Sequence, residues 1–492
     1  MHLWKISTNK RNAKKIKILI WMLVGLLGVG LTSGCTAPVP EATPQNSVDY
    51  AALKSEQTVH LQLYFLSDSD YYSMVTESRS VTVDQDTLWA QVAVDELKNG
   101  PQTSGGIACL PEDVTVERVT VSNGLASVTL GGSFAKMDPM SELAARVALT
   151  NTLCGLPGIK YVAVYGGAKH ADMKLPIVLS RYTGVLKDLL VASQYASDVS
   201  RTINIPLYFM DVRGMLLLPE VRECRVRDDD LPSRILEELM CGPLDTQNQL
   251  PVLSKSARLA APPKYTQRAN GTASVRINLS APLSQGLYVA PGYEMLPYAA
   301  VANSIMSCMP DVTGVSFEVN GTRVVRVGVT DLGSSGVITR DAARTYEGQS
   351  ITLYFPNEQM DTLIPVKRAV PVSDTVQSIK WMEELLKGPL DRENDHLWPI
   401  FPNGITAKDV LHLKISEDLA ILDISKNFAD IVAAKKFSLS RESMLVYSII
   451  NTLTGKNGVK RVQFLVEGKQ TDSLGGSISI QGPLLRNTGI IQ

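Results

Sequence analysis

The sequence predicts an α/β protein made of three tandem small two-layer sandwich modules, each ordered strand, helix, hairpin, helix, strand. Three observations predict it. The tripeptide Leu63-Tyr64-Phe65 recurs as Leu207-Tyr208-Phe209 and as Leu353-Tyr354-Phe355. A Gly-Pro pair follows each Phe by 33 to 35 residues, at Gly100-Pro101, Gly242-Pro243 and Gly388-Pro389. An asparagine then recurs in Asn151-Thr152-Leu153, Asn303-Ser304-Ile305 and Asn451-Thr452-Leu453. A fixed period of this size marks repeated copies of one unit.

Each tripeptide sits in a short apolar run that reads as a strand: Val59 to Leu66, Ile203 to Met210, and Ile351 to Phe355. Ahead of each Gly-Pro, apolar residues return at helical spacing. They are Leu88, Val92, Ala93 and Leu97 in the first copy, and Ile235, Leu236, Leu239 and Met240 in the second. The third has Val376, Ile379, Met382, Leu385 and Leu386, with Asp374 and Gln377 resembling a capping box at its start. Glycine at C′ accepts the left-handed conformation and proline cannot continue the ladder, so these glycines are read as structural.

A hairpin comes next. Val114 to Val121 and Leu125 to Leu130 flank Asn123-Gly124, a type I′ turn signal. Asn270-Gly271 and Glu417-Asp418 take that place in the other copies, which sets Ala126, Ala273 and Ala420 in register 147 residues apart. The second helices run Glu142 to Cys154, Pro297 to Cys308 and Glu442 to Leu453, with Asp138-Pro139 as N-cap and N1 of the first. Closing strands follow at Val162 to Tyr165, Val315 to Val319 and Val462 to Val466. The recurring asparagine is expected to close backbone groups where helix meets loop. The modules then span 58–180, 201–335 and 349–485, with mostly polar stretches between them, such as Ser193 to Ser200 and Gly333 to Gly348. The second copy departs most: Ala281 stands where Phe134 and Phe428 sit, and Pro297 interrupts the helix start.

The N-terminus is of another kind. Lys5, Lys10, Arg11, Lys14, Lys15 and Lys17 precede an apolar run from Ile18 to Leu31. A helix of that length covers about 21 Å, short of a hydrocarbon core of about 30 Å, so the run reads as an export signal. Thr32-Ser33-Gly34-Cys35 ends it and resembles a bacterial lipoprotein junction, with Thr32 where an apolar residue is usual. Residues 1–35 are thus expected to be a lipoprotein signal peptide, Cys35 the lipidated residue, and 36–57 a tether.

Composition bounds the partners. Lys and Arg total 48 against 49 Asp and Glu, a formal net charge of -1, so nothing electrostatic suggests nucleic acid. The histidines are His2, His60, His170, His396 and His412, none at equivalent repeat positions, which excludes a His-based site common to all three modules. Motifs of serine hydrolases, zinc proteases and phosphate-binding loops are missing. Beyond Cys35 there are Cys109, Cys154, Cys224, Cys241 and Cys308, without metal-ligand spacing. Bridges Cys241–Cys308 and Cys109–Cys154 could form, but the third module has no cysteine, so the default reading is small buried hydrophobe. Arg222, Arg225 and Arg227 before Asp228-Asp229-Asp230 read as a solvated strand edge. No catalytic, cofactor-binding or metal-binding residue is assigned, and the chain is not read as an enzyme.

With these residues in hand the chain resembles the GerMN family of spore germination and sporulation modules. The Leu-Tyr-Phe strand, the helix ending in Leu-x-x-Gly-Pro, the Asn-Thr-Leu helix and the finish Val-x-Phe-x-Val-x-Gly carry the resemblance; the last is present at Val315 to Gly321 and Val462 to Gly468, with only Val162-Ala163-Val164-Tyr165-Gly166 in the first copy. The resemblance implies a membrane-anchored lipoprotein, and modules similar to the ring-building units of envelope-spanning assemblies. The expected role is a lipid-anchored scaffold or stabilising protein of a sporulation or germination complex, on the extracytoplasmic face of the cell membrane. Its expected partners are other envelope or sporulation proteins. An alternative is an envelope binder for peptidoglycan or a sensor partner.

Overall fold

The computed structural model describes residues 48–492, apart from 168–169, 171–173, 195–199, 228–229, 255, 374, 394–395 and 456–457. The basic leader, Cys35 and the tether as far as residue 47 lie outside the described residues. Among those described, no helix is long and apolar enough to cross a membrane.

Module one opens on β1 (Glu56–Ser67), which carries Leu63-Tyr64-Phe65, paired antiparallel with β2 (Met74–Asp84). Strand β1 alternates buried and exposed side chains, putting Val59, Leu61, Leu63 and Phe65 into the core. Helix α1 (Trp89–Lys98) follows and buries one stripe, Ala90, Val92, Ala93, Val94 and Leu97. It stops at Gly100, whose φ of +77° is the left-handed value expected there. After the short β3 (Gly106–Ile107) come β4 (Val114–Ser122) and β5 (Leu125–Gly132). Both turn residues between them have positive φ, 47° at Asn123 and 83° at Gly124, as a type I′ turn requires.

Helix α2 (Pro139–Leu153) is the crossover. Asp138 accepts hydrogen bonds from the amides of Met140 and Ser141, and Pro139 fills the first turn. The chain then returns as β6 (Tyr161–Tyr165), parallel to β5; a parallel neighbour needs such a crossover. Every residue of α2 from Glu142 to Thr152 is buried, because the helix packs on both β1 and β6. Strand β7 (Val178–Ser180) edges the sheet, and α3 (Leu186–Gln194) lays Leu186 on α2.

Module two repeats this order with β8 (Arg201–Asp211), β9 (Leu217–Val226), α4 (Leu231–Met240), β10 (Gln249–Leu250), β11 (Leu259–Gln267), β12 (Ala273–Leu279), α5 (Leu296–Cys308) and β13 (Val312–Val319). Strand β13 runs parallel to β12, so the divergent copy keeps the topology. Pro297 sits in the first turn of α5, where its missing N–H removes no helical bond; it begins the helix rather than interrupting it. Near Ala281, Leu283 is fully buried in the module's core. Short strands β14 (Thr322–Arg323), β15 (Arg326–Val327) and β16 (Thr330–Asp331) lead to β17 (Val337–Thr339), which pairs with β13, and to α6 (Arg340–Arg344). The polar stretch read as a connection after residue 335 is therefore part of module two.

Module three has β18 (Gly348–Pro356), β19 (Leu363–Pro371), α7 (Ile379–Leu386), β20 (Val410–Ser416), β21 (Leu419–Ile424), α8 (Lys426–Ala434), α9 (Leu439–Leu453), β22 (Arg461–Val466) and β23 (Leu484–Leu485). Its first helix begins at Ile379, so Gln377 of the expected capping box precedes the helix, and Asp374 lies outside the described residues.

The expected strand, helix, hairpin, helix, strand order is present in all three modules. The structure adds a second strand after each first one, so every module opens on a hairpin. Each module has its own apolar core, the first around Phe65, Phe134 and Leu149, the second around Phe209, Ile277 and Phe317, the third around Phe355, Phe428 and Phe464. Residues 50–492 together form one compact unit.

Candidate functional site

The polar side chains that recur in all three modules are the places where chemistry could sit, and the first is an arginine. Arg79, Arg222 and Arg368 lie on the second strand of each opening hairpin, with side chains 6%, 10% and 0% exposed. Each guanidinium lies over the ring of the Leu-Tyr-Phe phenylalanine, 5.7 Å from Phe65, 5.3 Å from Phe209 and 5.5 Å from Phe355. One terminal nitrogen donates to the carbonyl of Glu96, Glu238 or Glu384 in the last turn of the helix. The other donates to the carbonyl of Gly100, Gly242 or Gly388.

An acid completes each cluster and ties down the chain after Gly-Pro. Glu77 pairs with Arg79 and accepts from the amides of Gln102 and Thr103, each at 2.9 Å. Glu220 pairs with Arg222 and accepts from the Leu244 amide at 2.9 Å. In module three the acid is Glu393, 2.7 Å from Arg368, and it accepts from the Leu390 amide at 3.0 Å. Burial alone pushes the Glu77 carboxyl up, but bonds from Thr103, Arg79 and Gln102 outweigh this and hold it down at about 2. These groups are fully engaged in closing a helix end. The solvated-edge reading of Arg222 is thus corrected; Arg225 and Arg227 are the exposed members of that run.

The recurring asparagine and its neighbour form a second set. Thr152, Ser304 and Thr452 accept from the backbone N–H of Tyr64, Tyr208 and Tyr354 at 3.1, 3.0 and 3.3 Å. This joins the Asn-Thr-Leu helix to the edge of the Leu-Tyr-Phe strand. Asn151 Nδ2 donates to the Tyr182 carbonyl at 2.7 Å, while its oxygen accepts from the Tyr182 amide at 2.8 Å. Asn451 treats Asn487 in the same way, at 3.0 Å for both bonds, and Asn303 donates to Ala343 at 3.1 Å. The asparagine does close backbone groups, as expected. They belong to a segment 31 to 40 residues downstream rather than to the adjoining loop.

A glutamate stands nine residues before each asparagine and was not singled out from sequence: Glu142, Glu294 and Glu442. Glu442 is fully buried and accepts from the amides of Gly475 and Ser477 at 2.8 and 2.7 Å. Glu142 pairs with Arg146 at 2.6 Å and with His170 Nε2 at 2.8 Å. Glu294 accepts from the Gly292 amide at 3.1 Å. The fixed spacing to the asparagine was the available signal.

The remaining titratable groups do not converge. His60 bonds Ser80 on the opening hairpin, and His412 is exposed on β20. Among the described residues, no group of three or more His, Cys, Asp and Glu side chains could hold a metal ion. Cys109, Cys154, Cys224, Cys241 and Cys308 are free thiols. Burial pushes the Cys109 thiol up to about 12 and raises that of Cys308 as well. Cys241 is exposed while Cys308 is buried, and neither is paired.

What the modules present to one another is contact surface. The Glu417 turn of module three grips the start of β1: its carboxylate accepts from the Thr58 amide at 3.1 Å and the Thr58 hydroxyl at 2.8 Å, and its own amide donates to the Glu56 carbonyl at 2.8 Å. The Asn123 turn of module one reciprocates at the start of β18, accepting from the Ser350 amide at 3.1 Å, while Ser122 donates to the Gly348 carbonyl at 2.6 Å. Equivalent turns thus meet equivalent strands, as in a two-fold contact. In module two, Asn270 accepts from Thr272 beside it, and a methyl on Gly271 would meet nothing within 4 Å.

Sheet faces follow the same division. The outer face of module one's sheet, Leu125, Ala163 and Tyr165, packs with Val221 of module two. That of module three, Leu419, Ile421 and Leu465, is covered by Tyr50 and Leu53. Module two instead shows the polar residues Ser274, Arg276, Asn278, Ser316 and Glu318, with Arg276 paired to Glu318 at 3.2 Å. Where modules one and two meet, Arg340 and Arg344 lie over the Tyr165 ring at 5.5 and 5.8 Å. A cavity of about 10 Å³ between Arg118, Tyr165, Tyr208, Arg344 and Glu347 has room for one water. Burial raises the Glu347 carboxyl there, against the pull of Arg344, Arg118 and Arg340.

Two outcomes test the arginine clusters. Arg368→Met leaves Glu384 and Glu393 without their buried cation and should lower stability by about 3–5 kcal/mol in urea unfolding. Because the Glu77 carboxyl is depressed, its stabilisation is complete above about 4.5, its ordinary value, and is lost as pH falls toward about 2. Glu77→Gln should flatten the fall of the unfolding midpoint over that range, and an unchanged slope would count against the assignment.

A family model described as Germane, sporulation and spore germination, matches residues 62–166 and 352–472. Those stretches fall in modules one and three, and module two lies between them. Among solved structures, the tandem GerMN domains of the sporulation protein GerM from Bacillus subtilis are similar, with TM-score 0.24 and 18% identity, covering 58% of this chain and 98% of that one. The first GerMN domain of the same protein is similar at TM-score 0.20 and 22% identity, covering 25% of this chain and 98% of that one. A comparison with curated proteins returns no match. The first and third modules are thus the parts of the chain that match the Germane family of sporulation and spore germination.

Proposed function

We propose that the chain is a scaffold or stabilising component of a sporulation or germination envelope complex and works through protein contacts. One observation carries this reading. The polar groups that recur in every module close helix ends and backbone segments, while the modules bind one another through turns and sheet faces. Structures whose repeated polar residues are spent on the fold have surface left as their means of action, and tandem copies multiply weak contacts. In this reading the basic leader and Cys35 place the modules on the extracytoplasmic face of the cell membrane, with other envelope proteins as partners.

Deleting the protein in its host, scored separately for spore formation and for spore germination, should impair at least one step; normal behaviour in both would count against the proposal. Metabolic labelling with a radioactive fatty acid should mark the wild-type chain and leave Cys35→Ala unlabelled. Equal labelling of the two would remove the anchor from the proposal.

A further inference from the structure

Module three carries an elaboration that module one lacks. After its hairpin, module one has a single 3-10 turn, Ser133–Lys136, before the long helix. Module three has α8, Lys426–Ala434, and then Lys435-Lys436-Phe437. Module one shows that the fold does not need this addition. The added segment faces the loop after Gly388-Pro389 and forms with it an open groove of about 510 Å³, lined by Trp398, Phe401, Asn403, Lys435, Lys436 and Arg441 among others.

The groove combines uncommitted charge with exposed aromatic surface. Lys435 and Lys436 are exposed, and among the described residues neither they nor Arg441 has an ion pair. The Arg441 guanidinium lies over Phe437 at 4.7 Å, and its Nε is buried without a hydrogen-bond partner. Three like charges around one concavity repel unless an anion joins them. Lys436 also holds φ at +46°, at the helix end where glycine is favoured. Ser438, which lines the same groove, caps the 15-residue α9, whose amino end adds positive potential. On the apolar side Trp398 is 45% exposed beside Pro399, and Phe401 is held edge-on against Phe428 with ring centroids 6.0 Å apart.

We propose that this groove binds an acidic glycan, a chain of sugar rings bearing carboxylate or phosphate groups. A sugar ring lays its C–H face on the Trp398 indole, and its acid group is met by Lys435, Lys436 and Arg441. An acidic peptide suits the site less well. The groove is bordered by loops and a helix start, so an extended peptide finds no strand edge on which to form a ladder. This inference goes beyond the scaffold reading and does not depend on it.

Titration of the full chain, followed by tryptophan fluorescence and calorimetry, tests it. The probes are a galacturonic acid hexamer, a phosphorylated mannan fragment, an uncharged glucose hexamer and a glutamate hexapeptide. One or both acidic glycans should bind saturably, and the neutral hexamer should not. Trp398→Ala and the double change Lys435→Ala with Lys436→Ala alter exposed side chains, so circular dichroism should remain that of the wild type. Each should weaken glycan binding by about tenfold or more. The proposal is overturned if neither acidic glycan binds or if binding survives both variants. It is equally overturned if the glutamate peptide binds as tightly as the glycans and is indifferent to Trp398→Ala.

Discussion

The buried arginine of each opening hairpin is the interaction on which the module depends. A helix that stops at Gly-Pro leaves its last carbonyls without intrahelical donors, and a proline just beyond supplies no N–H. Arginine answers with several donors in a rigid fork, enough to reach two carbonyls and an acid at once. Its flat cation also covers the phenylalanine beneath it, so one side chain joins strand, helix end and core. The supporting acid can come from elsewhere in the chain: Glu77 and Glu220 sit two residues before their arginines, whereas Glu393 arrives from the loop after Gly-Pro. The geometry at the guanidinium is kept while the source of the negative charge moves.

Burying so much charge in a small domain is costly unless every group is met. The modules meet that cost by making each polar group serve two segments. Glu77 holds Arg79 and the chain after Pro101; Asn151 holds both backbone groups of Tyr182; Thr152 satisfies a strand edge that the hairpin leaves open. With these groups engaged inside, what differs between modules lies on their surfaces. Modules one and three have apolar outer sheet faces, and both are covered. The polar face of module two needs no cover, and the hairpin turn beside it is free of the reciprocal grip.

Module two also shows how loosely sequence can hold a fold that packing holds tightly. Ala281 stands in place of a phenylalanine, and Leu283 is buried in the core nearby. Pro297 is harmless in the first turn of α5, and a bulge between Ala273 and Ser274 takes up a shift in register against β13. The order of elements and the parallel pairing survive these changes.

The sequence alone determined what depends on neighbours along the chain. The three copies, the left-handed glycine ending each first helix, the Asn123-Gly124 turn and the Asp138-Pro139 cap were all legible, because each is a local conformational preference written in a few adjacent residues. The second strand of the opening hairpin was missed in modules one and three, and in module two only its charged end at Arg222 was read as a strand edge. Strand β2, Met74–Asp84, has the polar stretch Thr76 to Ser80 between Met74-Val75 and Val81, so no continuous apolar run announces it, and its antiparallel pairing with β1 makes it a strand. The arginines and the glutamates nine residues before each asparagine recur in the sequence too, but charged residues read as surface until a core closes over them. Which turn meets which strand, and the groove at Trp398, are decided by tertiary structure alone, since they join residues that share no local pattern.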